Sequence, residues 1–341
     1  MKLQFELGAF ARNAPYLPAP SLLIQEDGMR KHLAIAFAVL MALSASQAQT
    51  ATQSTDKIEK KVNHDPEAAQ LITSDIPNFW RAFDQMTPEN DLLVFKREYL
   101  DKGSAGLKDF SKARFTVCDL VNALEGNQPL YASVRQDSLK IETMKDRIKA
   151  SFRKLKVLYP EAVFPDIYFL IGANNSGGTT ADSGLLIGTE RYARKIDDIP
   201  NTVAHELIHY QQKYPQKLDL IGLSIKEGSA DFIGELISGK SSNADLMPFG
   251  DAHERGLWPP FIRDNEQGDW GVWLYDFNKA KARGIPKDMG YYIGYKITEA
   301  YYKKAADKKQ AIKEILEIKN MQEFLRESGY AQRFGDSRNP G

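Results

Sequence analysis

Residues 205–209 read HELIH, and this five-residue motif constrains the chain more than any other feature. On a helix, side chains four residues apart project from the same face, one turn above the other. His205 and His209 can therefore reach one metal ion, and Glu206 stands beside that face. Two neutral imidazoles suit Zn²⁺, and a nearby glutamate can activate a water molecule. The motif predicts a metal-dependent hydrolase.

The surrounding sequence favours a helix over residues 197–212. Asp197 or Asp198 can cap its start, and Pro200 suits the first turn. Pro215 cannot continue a helix, so we expect it to end near Tyr214. The alternative is a surface helix that carries two unrelated histidines.

A catalytic zinc site needs a third protein ligand. Glu227 follows His209 after 17 intervening residues and opens a second helical pattern that runs to about residue 236. Asp231 lies one turn further on and is placed to accept the other ring N–H of a ligand histidine. Gly228 and Ala230 are small enough for this helix to approach the first one closely. Glu227 is the expected third ligand.

Two other side chains are alternatives for the third ligand. Glu235 lies two turns after Glu227 and can face the same side, although a role near the site or in solvent fits it better. His253 follows a loop and could also reach a metal, although a surface position is more usual for such a histidine.

HExxH followed by EGxAD resembles the gluzincin metallopeptidases, and most closely the bacterial predicted zinc-dependent proteases. The likeness extends from about residue 76 to residue 330. It implies a thermolysin-like (zincin) core in which His205, His209 and Glu227 bind zinc, Glu206 is the general base and Asp231 orients a ligand histidine. The spacing between His209 and Glu227 is slightly shorter than in thermolysin or the large aminopeptidases, so their substrate rules do not transfer.

The N-terminal region has the pattern of a secretory signal. A basic segment begins at Met29, an apolar run of 11 residues follows at 33–43, and small residues precede a cleavage site after Ala48. We therefore predict that residues 1–28 are an upstream misread, residues 29–48 the signal peptide and residues 49–60 a flexible linker. The mature chain would be periplasmic or secreted, without a stable membrane anchor. The alternative is a retained anchor, although the run is short for one.

Composition excludes several classes of partner. Lysine plus arginine and aspartate plus glutamate number 45 each, which argues against a nucleic-acid-binding protein. No glycine-rich phosphate loop occurs, so no cofactor-binding motif other than the metal site is expected. Cys118 is the one cysteine and lies in an apolar segment, which predicts a buried, inert thiol.

The remaining chain predicts a helical region at 61–155 and a zincin-like catalytic region at 156–335. Residues 164–172 and 184–188 read as strands, and the polar, glycine-rich residues 173–183 read as a loop between them. By the same resemblance, the strand at 184–188 would edge the cleft and pair with substrate backbone. The alternative is an interior strand.

Residues 238–286 predict a long irregular stretch that contains three of the four tryptophans, as part of a binding site or as an apolar cap. A helix follows at 289–297. Tyr292 or Tyr291 on that helix is the candidate hydrogen-bond donor to an oxyanion, partly because the related proteases have a similar Gly-Tyr-rich helix.

These observations predict an α+β fold with a small sheet, the two motif helices and a largely helical remainder. The expected function is that of an exported hydrolase with one Zn²⁺ per chain, most simply a peptidase acting on a peptide or protein substrate with Glu206 as general base. The alternative is a non-catalytic periplasmic binding or assembly protein on the same fold.

Overall fold

The computed structural model describes residues 62–175, 177–192 and 195–335. The chain divides into residues 1–60 and residues 61–341, and the described residues all belong to the second unit. The predicted upstream misread, signal peptide and linker lie outside the described residues.

Helices make up most of the described chain. In the first part they are α1 (Asp75–Gln85), α2 (Asp91–Phe95), α3 (Ala105–Arg114), α4 (Val117–Gly126), α5 (Gln128–Ser138) and α6 (Lys145–Leu158). In the second part they are α7 (Ile199–Gln211), α8 (Leu220–Ser238), α9 (Met247–Gln267), α10 (Phe277–Arg283), α11 (Met289–Lys304), α12 (Lys308–Leu316) and α13 (Met321–Ser328). A π-helical turn at Lys96–Leu100 continues α2.

A small mixed sheet lies against these helices. Its strands are β1 (Leu71–Ile72), β2 (Ile167–Leu170), β3 (Gly178–Ala181) and β4 (Gly184–Gly188), in the order β1-β2-β4-β3. β1, β2 and β4 are parallel, and β3 is antiparallel to β4. The described fold is therefore α+β and mostly helical, as predicted. No helix in the described ranges combines the length and apolarity needed to cross a membrane.

The edge of the sheet differs from the prediction. β4 is buried at every position and lies between β2 and β3, so the expectation that residues 184–188 form the edge is wrong. The edge strand on this side of the sheet is β3, which lies within the segment predicted to be a loop, and β1 forms the opposite edge. Its sequence, GTTA, carries no apolar pattern because an edge strand needs little burial, whereas the interior strand β2 reads IYFL.

The predicted helical region and catalytic region share this sheet. β1 precedes α1 and pairs in parallel with β2, where Leu71 lies opposite Ile167. The expected boundary at residue 155 falls inside α6, which continues to Leu158. One hydrophobic core includes residues from both regions. The N-terminal helices are thus part of the structure that supports the sheet.

The stretch at 238–286 is mainly helical, which corrects the prediction of an irregular segment. α9 runs through Pro259 and Pro260, two residues that usually interrupt a helix. The stripe Leu257, Trp258 and Phe261 is buried on one side of α9. Burial of these large side chains outweighs the backbone hydrogen bonds that the prolines cannot make.

Cys118 is exposed, so the prediction of a buried thiol is wrong. Thr116 and Asp119 form a capping box that starts α4 immediately before the cysteine. Leu120 and Leu124 face the core from that register. Cys118 precedes Leu120 by two residues, which is about 200° of helical rotation, and therefore points to solvent.

Glu190 is a buried carboxyl group in the turn after β4. Its Oε1 accepts from the backbone N–H of Asn174 at 3.2 Å, and within the described chain its Oε2 has no hydrogen-bond partner. Burial raises the pKa of Glu190 from 4.5 to about 7. The folded protein therefore keeps this proton over a pH range in which the unfolded chain has lost it.

Glu190→Gln is expected to remove one component of the pH dependence of stability. As pH rises from 4.5 to about 7, only the unfolded chain releases the Glu190 proton, so the native protein loses stability. The loss is roughly 3 kcal/mol and levels off above the folded pKa. Urea unfolding of both proteins between pH 4 and pH 8 measures it, and an unchanged difference between them across that range contradicts the prediction.

Candidate metal centre

α7 presents the two motif histidines on one face. Asp198 is its N-cap residue, but the Asp198 side chain makes no capping hydrogen bond and instead pairs with Lys240 at 2.8 Å. Pro200 lies in the first turn, as predicted. His205 and His209 lie one turn apart, with their Nε2 atoms separated by 3.0 Å.

Glu227 on α8 completes the group. Its Oε2 lies 3.0 Å from Nε2 of His209 and 3.6 Å from Nε2 of His205. Within the described residues, His205, His209 and Glu227 are the one group of three such side chains that could hold a metal ion. The structure thus brings together the three predicted ligands.

α8 packs closely on its neighbours, but Gly228, contrary to the prediction, does not face α7. Gly228 faces α11, where an added Cβ would overlap the backbone of Gly294 and Tyr295. Gly234, a residue not singled out in the sequence, lies against the backbone of His205, with His205 N 3.3 Å from its Cβ position. Small residues on two faces therefore let α8 pack against both α7 and α11.

Both histidines donate their other ring N–H to an oxygen acceptor. His205 Nδ1 lies 2.9 Å from Oδ1 of Asp231, and His209 Nδ1 lies 2.8 Å from Oε1 of Gln212. These partners assign the ring proton to Nδ1 and leave each Nε2 with a lone pair. Asp231 is buried and also accepts hydrogen bonds from Ser242 and Asn243.

The electrostatics of the group are those of a cation site. Burial lowers the pKa of His205, but the carboxylates of Asp231, Glu227 and Glu206 outweigh it and hold the pKa well above its ordinary value. Burial raises the pKa of Glu227, and the two imidazoles outweigh that effect and hold it well below its ordinary value. Both pKa shifts show that a positive charge is stabilised between these side chains.

The donor set fits Zn²⁺. Two imidazole nitrogens and one carboxylate oxygen form a known catalytic zinc set, and all three atoms converge within 4.8 Å of one another. Converging lone pairs repel each other unless a cation lies among them. The hydrogen bonds from Nδ1 of each histidine fix the rings in the orientation that a metal ligand requires.

Tyr275 is a site residue that the sequence did not identify. Its hydroxyl donates to Oε1 of Glu227 at 2.9 Å, the oxygen that does not face the histidines. Burial and then the Glu227 carboxylate raise the pKa of Tyr275, so the hydroxyl keeps its proton. The backbone of Tyr275 has a φ of 70°, and its N–H donates to Asp288 at 2.6 Å. The only sequence signal was its place in the tryptophan-rich stretch.

The two tyrosines proposed from the sequence lie in different surroundings. Tyr291 stacks on His205, with ring centroids 6.1 Å apart. Tyr292 is fully buried, and its hydroxyl donates to Asp251 on α9 at 2.9 Å. That hydrogen bond and the packing of its ring against Gly250 fit a core residue, and they do not support Tyr292 as an oxyanion donor.

Glu206 extends from α7 toward the edge strand. An added Cβ at Gly178 of β3 would overlap the Glu206 carboxylate. The carboxylate therefore lies directly over the backbone of β3, one of the two strands at the ends of the described sheet. A peptide that paired with β3 would pass beside Glu206 and the three side chains of the candidate metal centre.

Gly178→Ala is expected to reduce hydrolysis while the fold and zinc binding stay intact. The new methyl group meets the end of a flexible side chain, so Glu206 moves and the backbone does not have to. A displacement of about 1 Å at a reacting group costs up to ~100-fold in rate. Gly126→Ala on α4 is the control, because its added Cβ meets nothing within 4 Å. Native activity in Gly178→Ala would contradict this placement of Glu206.

The alternative third ligands lie elsewhere. Glu235 accepts a hydrogen bond from the Tyr295 hydroxyl at 2.9 Å. His253 is exposed, and its Nδ1 bonds to the carbonyl of Phe249 at 2.8 Å. Neither side chain is part of the metal-binding group.

A comparison with protein families found one match. Residues 169–325 match the model of a family described as "Predicted Zn-dependent protease (DUF2268)". The matched region contains β3, β4, the helix pair α7–α8 and all of the residues described above for the metal group. Searches of curated proteins and of solved structures found no significant match. The resemblance to the predicted zinc-dependent proteases is thereby confirmed.

Proposed function

We propose that this chain, whose residues 169–325 match the model of the predicted Zn-dependent protease family, binds one Zn²⁺ and hydrolyses peptide bonds on a thermolysin-like core. The observation that carries the proposal is the convergence of His205, His209 and Glu227, with both outer ring nitrogens hydrogen-bonded. A group of three protein ligands is typical of catalytic zinc, whereas structural zinc usually has four.

Zn²⁺ held by these three side chains would polarise the scissile carbonyl and make water a stronger nucleophile. Glu206 accepts a proton from the attacking water, whose oxygen bonds to the carbonyl carbon. The peptide C–N bond then breaks, and Glu206 passes the proton to the leaving amine. The position of Glu206 beside β3 supports this role, since a peptide paired with that strand would bring its carbonyl group close to it.

Tyr275 takes the place of Tyr292 as the candidate donor to the developing oxyanion. Its hydroxyl keeps its proton and donates to Oε1 of Glu227, so a substrate oxygen would have to replace that carboxylate as the acceptor. Unlike the fully buried Tyr292, Tyr275 has 55% of its surface exposed and can be reached by a substrate. Tyr275→Phe should keep zinc and lose hydrolysis together with affinity for a phosphinic peptide that mimics the tetrahedral state. Unchanged affinity for that peptide would remove Tyr275 from this role.

Zinc content and peptide hydrolysis together test the proposal. The purified protein should contain one zinc per chain by elemental analysis and cleave members of a broad peptide library. Removal of the metal with a chelator should abolish cleavage, and addition of Zn²⁺ should restore it. Zinc bound without any cleavage in the library would favour the non-catalytic binding or assembly protein.

Export remains a proposal from residues 29–48 alone. We infer that the mature protein begins at or near Gln49 in the periplasm or outside the cell. N-terminal sequencing of protein from its native host measures the cleavage point, and an exported product that retains residues 1–28 would refute both the start site and the cleavage.

A further inference from the structure

A cavity of about 530 Å³ adjoins the metal centre. It is formed by the segment that follows α7, by the first turns of α8 and by Trp270. Its lining includes His209, Lys217, Lys226 and Trp270. His209 is shared between the cavity and the metal-binding group, so an occupant of the cavity would lie next to the reacting centre.

The cavity has an excess of positive charge. Lys217 and Lys226 line it, and no aspartate or glutamate does. The nearby carboxylates are engaged elsewhere. Glu227 faces the two histidines, with its Oε2 3.0 Å from Nε2 of His209. Asp219 accepts hydrogen bonds from the backbone of α8 and from Gln322, and Asp269 pairs with Lys279 at 3.0 Å. A group with negative charge is therefore the complementary occupant.

Trp270 gives the cavity an apolar wall. The residue is 48% exposed, although so large an aromatic side chain is usually highly buried. A cavity lined by an aromatic ring and two lysines suits a ligand that has both an apolar stem and an acidic end. Such a ligand resembles a glutamate side chain or the end of a peptide.

We propose that this cavity is the specificity pocket and that it binds a carboxylate of the peptide substrate close to the scissile bond. The inference rests on the proposed peptidase function. The carboxylate has two possible sources, an acidic side chain or the C-terminal α-carboxylate. The first source makes the protein an endopeptidase that selects acidic residues, and the second makes it a carboxypeptidase.

The test uses the zinc-loaded protein and matched peptides. Glu or Gln occupies each position flanking the cleaved bond, and each peptide is made as the free acid and as the C-terminal amide. We expect a preference in kcat/KM of about tenfold for the peptide that carries the required carboxylate, the amount expected for one charge-assisted hydrogen bond. Preference for Glu over Gln identifies a side chain, and preference for acid over amide identifies the C-terminus.

Lysine variants assign the preference to the cavity. Lys217→Met together with Lys226→Met should reduce it to near unity. Lys154→Met is the control, because Lys154 is an exposed lysine on α6 outside the cavity and should leave the preference intact. The same peptides are also tested for equilibrium binding to Glu206→Gln, which gives a readout independent of turnover.

The two proposals fail in different ways. Hydrolysis without any carboxylate preference, or a preference that survives the double lysine substitution, overturns the pocket assignment and leaves the peptidase intact. Lysine-dependent binding of acidic peptides without any hydrolysis overturns the peptidase and keeps the pocket. Absence of both lysine-dependent binding and hydrolysis overturns both.

Discussion

Glu206→Gln should retain zinc and lose peptide hydrolysis by about 100-fold or more, the usual cost of removing a general base. Glutamine keeps the size of the side chain over Gly178 but cannot accept the proton of the attacking water. Zinc content should be unchanged, because Glu206 is not one of the three converging side chains. Elemental analysis and initial rates on one peptide substrate provide the measurements.

A matched control separates this effect from a general effect of losing a carboxylate. Glu125 is exposed on α4, and Glu125→Gln makes the same chemical change away from the site. It should leave both zinc content and rate unchanged. Cleavage by Glu206→Gln at the native rate would show that the HExxH mechanism does not operate in this chain.

Glu227→Ala should weaken zinc binding by more than about 100-fold, beyond the loss typical of a residue that only orients a ligand. The substitution removes the single carboxylate among the converging atoms and leaves only the two imidazole Nε2 atoms, which lie 3.0 Å apart. It also removes the acceptor of the Tyr275 hydroxyl. Competition with a chelator of known affinity measures the change, and circular dichroism checks the fold.

Asp231→Asn provides a comparison of intermediate effect in the same zinc-binding experiment. Asp231 touches Nδ1 of His205 and not the metal-binding atoms, so its substitution should weaken zinc binding by about 10–100-fold. Glu227→Ala should therefore have the larger effect of the two. Zinc affinity that stays native in Glu227→Ala would remove Glu227 from the ligand set.

The helix pair could be predicted because the residues that identify it lie close together in the sequence. The spacing of His205 and His209 defines one helical face, and Glu227 follows after a single short connection. Tyr275 reaches Glu227 from 48 residues away, through a backbone conformation that few tyrosines adopt. No pattern in the sequence encodes a contact of that kind.

The choice between Tyr291 and Tyr292 shows a different limit. Adjacent residues on a helix point about 100° apart, so the two tyrosines cannot face the same neighbour. Both sides of α11 are packed, one with Tyr291 toward His205 and the other with Tyr292 toward α9. Hydrophobic periodicity shows which side of a helix faces solvent and which side faces the core. It does not show which of two buried sides faces a particular neighbour.

β3 and α9 were missed for opposite reasons. β3 is a strand whose place at the sheet edge removes the apolar alternation that identifies strands, so Thr179 and Thr180 read as a loop. α9 contains two prolines that normally signal a break, and tertiary packing overrides them. In both cases tertiary contacts determine the secondary structure more strongly than the local sequence pattern does.

The contact between Gly228 and Gly294 has a consequence for the way the protein opens. Backbone packed on backbone leaves no flexible side chains between α8 and α11 to absorb a small separation. We therefore expect α8 to become accessible only when the surrounding core also opens, and its amide hydrogens should exchange with solvent at rates close to those of global unfolding. The position of Glu227 on α8 would then be held by the helical core and not by a mobile loop.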